Sequence, residues 1–550
     1  MTTAQAGTLA DALTRAAAVR PDAPATILPR GRRHRPGRAG FRVTTYAELD
    51  RRSDVLAAGL TAMGIVAGVR TAFLVPPGED FFALAFALLK AGAVPVLVDP
   101  GIGARNIKTC LGEVAPEAFI GVPRAHVARR VLRWCPSARL LVTVGGPRLP
   151  GGGRSLRAVE RAGAALLPFG APFDSPVASP DAVAAIAFTS GSTGVPKGVE
   201  YRHRHLSAQV RLIRELYAVA PGEVNLATFP PFALIGPALG MTTVIPRMDP
   251  TRPARVDPRR VVDAANTFGA TMMFGSPALL DTVGRWAETS GASMPTVRTV
   301  LSAGAPVSRS VQRRFLAMLG PDAQVHTPYG ATEALPVTSI GSREVLGLDQ
   351  PGICVGRPAP GVDLAVIDIS DEPVRRVTDS MRRPDGLVGE IVVRGPNVTD
   401  TYAERPAATA LAKTDWDGQL AHRMGDLGYL DGAGRVWFCG RKAHRVTTVT
   451  GTMFSVPCEE VFNAHPAVRR SALVGVGAPG RQRPVICVEL ERGVSASPAL
   501  SAALFALATR DPLTETIGTV LYHCGFPVDI RHNAKIDRGA LAVWAARRLR

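Results

Sequence analysis

The chain has 550 residues, 46% of them hydrophobic, and a formal net charge of +18. That length exceeds what one hydrophobic core organises, so at least two domains are expected, and the composition excludes a disordered or fibrous chain. Of 64 basic residues only six are lysines, and the arginines are scattered without a basic-aromatic cluster. Such a charge could mean affinity for nucleic acid or an anionic membrane, but without clustering it reads as compositional bias toward arginine.

Met1–Ala18 has no cationic region followed by an apolar core, so it is not a signal peptide. Thr8–Val19 reads as an amphipathic helix ended by Pro21-Asp22-Ala23-Pro24. Strands at Ala25–Leu28 and Phe41–Thr45 flank a basic turn, and a helix runs from Tyr46 to Met63, stopped by Gly64. Phe81–Val98 is the most apolar segment, but Lys90 and Gly92 interrupt it and Asp99-Pro100 ends it. It is a buried helix followed by a strand, not a transmembrane segment. Strands and helices alternate from Arg70 onward and resume at Leu140–Val144, the pattern of a doubly wound parallel sheet. Gly145–Pro180 reads as a surface crossing, and Ala182–Phe188 as a buried strand. Tyr201 to His205 opens a helix on which His203 and His205 point to different faces, so they are structural, not metal ligands. Further short strands are expected at Ala227–Phe229, Thr271–Phe274, Val297–Ser302 and Gln324–Thr327, each closing on a turn where ligands collect. Seven cysteines, an odd number without metal spacing, fit a reduced, cytoplasmic protein.

The chain is organised around Thr189-Ser190-Gly191-Ser192-Thr193-Gly194-Val195-Pro196-Lys197-Gly198. Glycines let backbone N–H groups approach an anion, and the hydroxyls and Lys197 add donors and charge. That chemistry suits the β- and γ-phosphates of ATP. It is not a Walker A loop, and a flexible linker would not sit flush against a buried strand. Ser302-Ala303-Gly304-Ala305-Pro306 could seat a flat adenine, although a plain turn explains it equally well. In Tyr329-Gly330-Ala331-Thr332-Glu333, the tyrosine can stack on a base and Thr332 can hold an α-phosphate. Glu333 can bind the Mg²⁺ that ATP brings. Asp426, between Gly425 and Leu427, can accept ribose hydroxyls, and Arg441 follows a strand where it can meet phosphate. Lys535 sits on a polar stretch before the last helix. In a chain so poor in lysine, Lys197 and Lys535 point to positions that need an amine.

The order of these motifs resembles the adenylate-forming superfamily of acyl-CoA synthetases, luciferases and peptide-synthetase adenylation domains, over essentially the whole chain. The resemblance implies an α/β fold: a large N-terminal domain of stacked doubly wound sheets (1–440) and a small mobile C-terminal α+β lid (441–550). It implies ATP and Mg²⁺ as cofactors. Thr189 through Lys197 would cradle pyrophosphate, Gly304, Ala305 and Pro306 would border adenine, and Tyr329 and Gly330 would complete the nucleotide pocket. Thr332 would hold the α-phosphate, Glu333 the metal, Asp426 the ribose, and Arg441 phosphate or ribose at the hinge. Lys535 would bridge the acyl carboxylate and the ribose.

Two departures narrow the resemblance. Alanine stands at 233, within Phe229-Pro230-Pro231-Phe232-Ala233, where many acyl-CoA synthetases carry a gating histidine. Ala443 replaces the aspartate usual two residues after the arginine, and Gly451 comes one residue late. With Ala233–Pro253 and Gly440–Cys458 they resemble the β-lactone synthetases of bacterial olefin biosynthesis. That subgroup implies a 2-alkyl-3-hydroxy fatty acid, adenylated and then closed by its own hydroxyl. An intramolecular nucleophile needs only near-attack geometry, so a thioester gate becomes dispensable. The alternatives are a fatty acyl-CoA ligase or acyl-AMP ligase, or a non-catalytic basic protein. The expected partners are the small-molecule acid and other enzymes of a lipid or olefin pathway, with no nucleic acid.

Overall fold

The computed structural model describes residues 7–31, 37–146, 150–176, 179–189, 196–348, 352–528 and 536–549. The first helix, Leu9–Val19, starts where Thr8 and Asp11 cap each other's backbone N–H, and it buries Leu9, Ala10, Leu13 and Ala17. Thr45 and Glu48 form the same reciprocal cap for the helix Tyr46–Thr61. The apolar helix Glu79–Lys90 follows the strand Arg70–Leu74 and is buried from Phe81 to Lys90. Its terminal lysine is neutralised inside the protein, with Lys90 Nζ 2.7 Å from Asp50 Oδ1 and 2.6 Å from Asp54 Oδ1.

Two seven-stranded sheets build the body. One runs in the order Gln324–His326, Thr299–Leu301, Met272–Phe274, Val224–Ala227, Thr242–Val244, Pro24–Pro29, Phe41–Thr45. The other runs Arg154–Ser155, Leu140–Thr143, Ala118–Gly121, Arg70–Leu74, Val94–Leu97, Val183–Phe188, Gly198–Arg202. Each is parallel except at one end, where the last pair is antiparallel. The three helices just described pack between the sheets in one core that draws Leu28, Ala227 and Leu301 from the first and Phe73, Ile120 and Ala184 from the second. Other helices cover the outer faces, giving five layers. These are the expected stacked, doubly wound sheets.

Three local expectations change. The segment after Gly145 is not only a crossing, because Leu156–Leu166 is a helix packed on Tyr46–Thr61. Glycines allow that contact: a Cβ on Gly163 would lie 1.8 Å from Val55 O, and one on Gly59 2.2 Å from Val159 O. Phe229 is not in a strand. It stands at the N-cap of the helix Pro230–Ala238, since Pro230 fits the first turn of a helix and cannot donate to a ladder. A third, eight-stranded antiparallel sheet lies between the parallel body and the C-terminal end, and its 12-residue strand Gln419–Leu430 pairs with Val436–Arg441. Beyond Arg441, a three-stranded sheet (Val468–Val476, Arg483–Leu490, Val520–Tyr522) with helices Ser455–Asn463, Pro498–Ala508 and Arg538–Arg548 makes the smaller α+β part.

His203 and His205 begin the helix His203–Leu216 and are both buried, in keeping with a structural role. His205 Nδ1 accepts the Arg202 backbone N–H at 3.0 Å, and its Nε2 lies 3.7 Å from Asp400 Oδ1. Burial, then Arg204, pulls its pKa from 6.5 to about 4. The unfolded chain therefore takes up this proton at a higher pH than the folded protein does. Stability from this site is complete above pH 6.5 and is lost as pH falls toward 4, by on the order of 3 kcal/mol. Melting temperature measured across that window should drop, and His205→Gln should flatten the drop; an unchanged slope in the variant would place the proton uptake elsewhere.

Candidate active site

The antiparallel pair Val183–Phe188 and Gly198–Arg202 brings both ends of the Ser/Gly loop together. Thr189 N–H donates to Lys197 O at 3.0 Å, and Lys197 N–H donates to Thr189 Oγ1 at 3.1 Å. Ser190, Gly191, Ser192, Thr193 and Gly194 lie outside the described residues. Lys197 Nζ sits 4.9 Å from the centre of the Tyr402 ring, within cation–π range.

Tyr402 is the first residue that motif reading missed. Its hydroxyl donates to Glu333 Oε1 at 2.6 Å, so the ring links the Lys197 ammonium over its face to the carboxylate at its edge. The Glu333 carbonyl accepts from Thr399 N–H at 2.9 Å and Thr399 Oγ1 at 3.0 Å. The Thr399 carbonyl accepts from Lys413 Nζ. Tyr201 OH donates to the Thr332 carbonyl. The Thr332-Glu333 turn is thus held from behind by one threonine, one lysine and two tyrosines. Lys413 is buried on the strand Lys413–Trp416 opposite His422. Burial lowers its pKa to about 8, with Glu333 and Asp400 pulling the other way. Burial, then Lys413 and Lys197, keeps His422 neutral, with its pKa well below the usual value. The scarcity of lysine was the available signal for Lys413.

Asp426, on Gln419–Leu430, is buried. Tyr329 OH donates to its Oδ2 at 2.7 Å, and Arg441 Nε lies 3.0 Å from its Oδ1. The hydroxyl of Tyr329 is therefore engaged by the carboxylate, and its ring lies 6.1 Å from that of Phe438. Gly330 continues the strand Tyr329–Ala331, and Gly304 takes φ 92° in the turn with Ala305 and Pro306. All of these border one cavity of about 2750 Å³, together with Thr189, Lys197 and Glu333. An apolar wall continues it: Phe229 stacks on Phe274 at 5.5 Å, and Phe232 lies 5.0 Å from the same ring. Ala233 is fully buried on the helix below them.

At the other end of the cavity a short turn, Lys442–His444, leads into the smaller part. Lys442 Nζ is 2.8 Å from Glu390 Oε1 and 2.7 Å from Ser370 O, and Arg423 shares Glu390 at 2.6 Å. Ala443 is exposed. The ionic hold on this turn therefore belongs to Lys442, one position before the expected aspartate. Lys535 lies outside the described residues, but Ile536 and Arg538 beside it border the cavity.

The cations fit a polyphosphate and the paired Asp426 fits a polar sugar edge. Among the described residues no group of three His, Cys, Asp or Glu side chains could cage a metal. The carboxylate of Glu333 borders the cavity, joined to Lys197 through Tyr402, which suits an ion carried in by a nucleotide.

Fold and site define an adenylate-forming, ligase-type enzyme, and residues 13–403 match the AMP-binding enzyme family, to which the chain belongs. Among its relatives are two proteins named olefin beta-lactone synthetase. The one from Xanthomonas campestris pv. campestris is 52% identical over 98% of this chain and 97% of that protein. The one from Stenotrophomonas maltophilia is 51% identical over 96% of each. Shared fold extends to ATP-bound MatB from Rhodopseudomonas palustris (TM-score 0.78, 22% identity, 98% of this chain, all of that one). The same holds for the anthranilate CoA ligase AuaEII in complex with anthranoyl-AMP (TM-score 0.79, 18% identity, 99% and 98%).

Lys413→Met keeps volume but releases Thr399 and with it the Glu333 turn. Pyrophosphate release should fall about tenfold to a hundredfold, with a raised Mg²⁺ requirement and little change in melting temperature. A variant with wild-type Mg²⁺ dependence would reduce Lys413 to packing.

Proposed function

We propose that the enzyme activates a 2-alkyl-3-hydroxy fatty acid with ATP and closes it to a β-lactone. Thr189, Lys197 and the phenylalanine-lined wall border one cavity, so a charged head and an alkyl body can be held together. The strongest support is identity above 50% across nearly the whole chain to proteins named olefin beta-lactone synthetase.

In the first step the substrate carboxylate attacks the α-phosphorus, and the bond to pyrophosphate breaks. Thr189 to Gly194 and Lys197 hold the departing pyrophosphate, and Thr332 orients the α-phosphate. Gly304, Ala305 and Pro306 with Tyr329 and Gly330 border the adenine, while Asp426 and Arg441 position the ribose. Glu333 would hold Mg²⁺ brought with ATP, and the ion would neutralise charge on the phosphates. Among the described residues, the Thr332-Glu333 turn is held by Thr399, Tyr201 and Tyr402, so its contribution is electrostatic preorganisation. Lys535 pairs the substrate carboxylate with the ribose. In the second step the 3-hydroxyl oxygen bonds to the acyl carbon, the acyl–phosphate C–O bond breaks, AMP leaves, and the hydroxyl proton goes to solvent or a basic group. Domain division falls at 440/441, with Arg441 and the Lys442-anchored turn as the joint.

Mass spectrometry of products from ATP and a 2-alkyl-3-hydroxy acid, with and without CoA, tests this. The expected product is the acid less one water, with AMP and pyrophosphate in equal amount and no effect of CoA. A CoA thioester, or no turnover without CoA, would identify an acyl-CoA ligase instead.

Lys535→Ala should slow adenylate formation by orders of magnitude, because positioning and charge are lost together. Thermal stability should barely move, and ring closure from supplied acyl-AMP should suffer less. Normal adenylation with failed ring closure would assign Lys535 to the second step.

A further inference from the structure

The helix Pro123–Val131 has two working sides. Ala125 and Ala128 line the cavity, as does Trp134 just beyond the helix. On the outer side Val127 is 50%, Val131 73% and Leu132 39% exposed. Val127 and Val131 are four residues apart and so adjoin on one helical face. Leu132 follows at the closing turn, where Trp134 N–H donates to Arg129 O at 2.9 Å.

Arginines rim these side chains. Arg124, Arg130 and Arg133 are exposed, and Arg129 and Arg130 are steadied by the carbonyls of Gly151 and Pro150 at 3.0 and 2.9 Å. The stretch from Gly103 to Arg139 holds six arginines and one lysine against two glutamates. One of those, Glu113, is already paired to Arg405 at 2.5 Å. The helix Ala104–Val114, with exposed Arg105 and Lys108, packs into the same core cluster, so its charges lie on the same side of the sheet.

Compositional bias accounts for arginines but not for the adjoining Val127 and Val131, with Leu132 just beyond them, left in water among those charges. Apolar residues scattered singly need no explanation; a contiguous patch does. An acidic protein surface would satisfy the guanidinium groups and set carboxylates against the aliphatic tips. A phospholipid surface accommodates both, with the aliphatic groups in the acyl boundary and the guanidinium groups at the phosphates. We propose that this face docks peripherally on an anionic bilayer, with Val127, Val131 and Leu132 in the interface. The benefit rests on the proposed function, since the docked helix is also a wall of the cavity and a long-chain acid partitions into lipid. Binding itself is measured without turnover, so the two stand or fall separately.

Co-sedimentation of the full chain with phosphatidylcholine vesicles, with and without phosphatidylglycerol, tests the assignment. Binding is expected only with phosphatidylglycerol, weakening as salt rises. The double substitution Val131→Ser with Leu132→Ser leaves every charge in place and should weaken binding about tenfold. Arg130→Ser with Arg133→Ser should weaken it as well, and pyrophosphate release with a soluble short-chain acid should be unchanged in both. Absence of binding to phosphatidylglycerol vesicles overturns the proposal. So does wild-type binding by the serine variant, which would trace attachment to dispersed charge alone. Preference for soluble polyglutamate over vesicles would mark a protein-docking face and equally sink the lipid assignment.

Discussion

The buried carboxylate of Asp426 is the point on which the architecture turns. Removing a carboxylate from water costs several kcal/mol unless it is paired and hydrogen-bonded. Here the compensation comes from two directions, the Tyr329 hydroxyl and the Arg441 guanidinium. All three stand in the eight-stranded antiparallel sheet: Tyr329 on its end strand just beyond the parallel sheet, Asp426 on the long strand, and Arg441 opposite it at the start of the turn into the smaller α+β part. One charge requirement thus ties the end strand Tyr329–Ala331 to the pair Gln419–Leu430 and Val436–Arg441 within the eight-stranded sheet.

A second constraint is the backbone of the Thr332-Glu333 turn. A carboxylate facing a cavity works only if the chain behind it is immobile, and here the chain is held through Thr399, Lys413 and Tyr201. Three lysines have defined contacts here: Lys197 above Tyr402, Lys413 behind Glu333, Lys442 on Glu390. Each is a place where a compact ammonium reaches a point that a planar fork would overfill. The departures at Ala233 and Ala443 also become intelligible. Alanine at 233 lies under the Phe229, Phe232 and Phe274 cluster and leaves the apolar wall unbroken, while Lys442 supplies the anchor that Ala443 cannot.

What the amino-acid order determined by itself was local and periodic. The paired caps at Thr8 and Thr45, the buried Glu79–Lys90 helix, the alternation of strand and helix, and the Thr189–Gly198 and Tyr329–Glu333 motifs all depend on neighbours a few residues apart. Such signals survive in a single chain because hydrogen bonding and side-chain period act over that range. Even so, Phe229 was misplaced in a strand, because its apolar run is too short to separate a strand end from a helix cap.

Only the tertiary structure decided which distant groups meet. Tyr402 reaches Glu333 across 69 positions, Tyr329 reaches Asp426 across 97, and Tyr201 reaches Thr332 across 131. Nothing in the local pattern around Tyr402 or Lys413 distinguishes a site residue from a core one. The third sheet was equally illegible, since its long strand carries His422, Arg423 and Asp426 on buried positions where alternation would place apolar side chains. Burial of those groups is offset by partners on strands and loops distant in the chain, such as Tyr329, Glu390 and Arg441, and pairing of that kind is a property of the assembled fold.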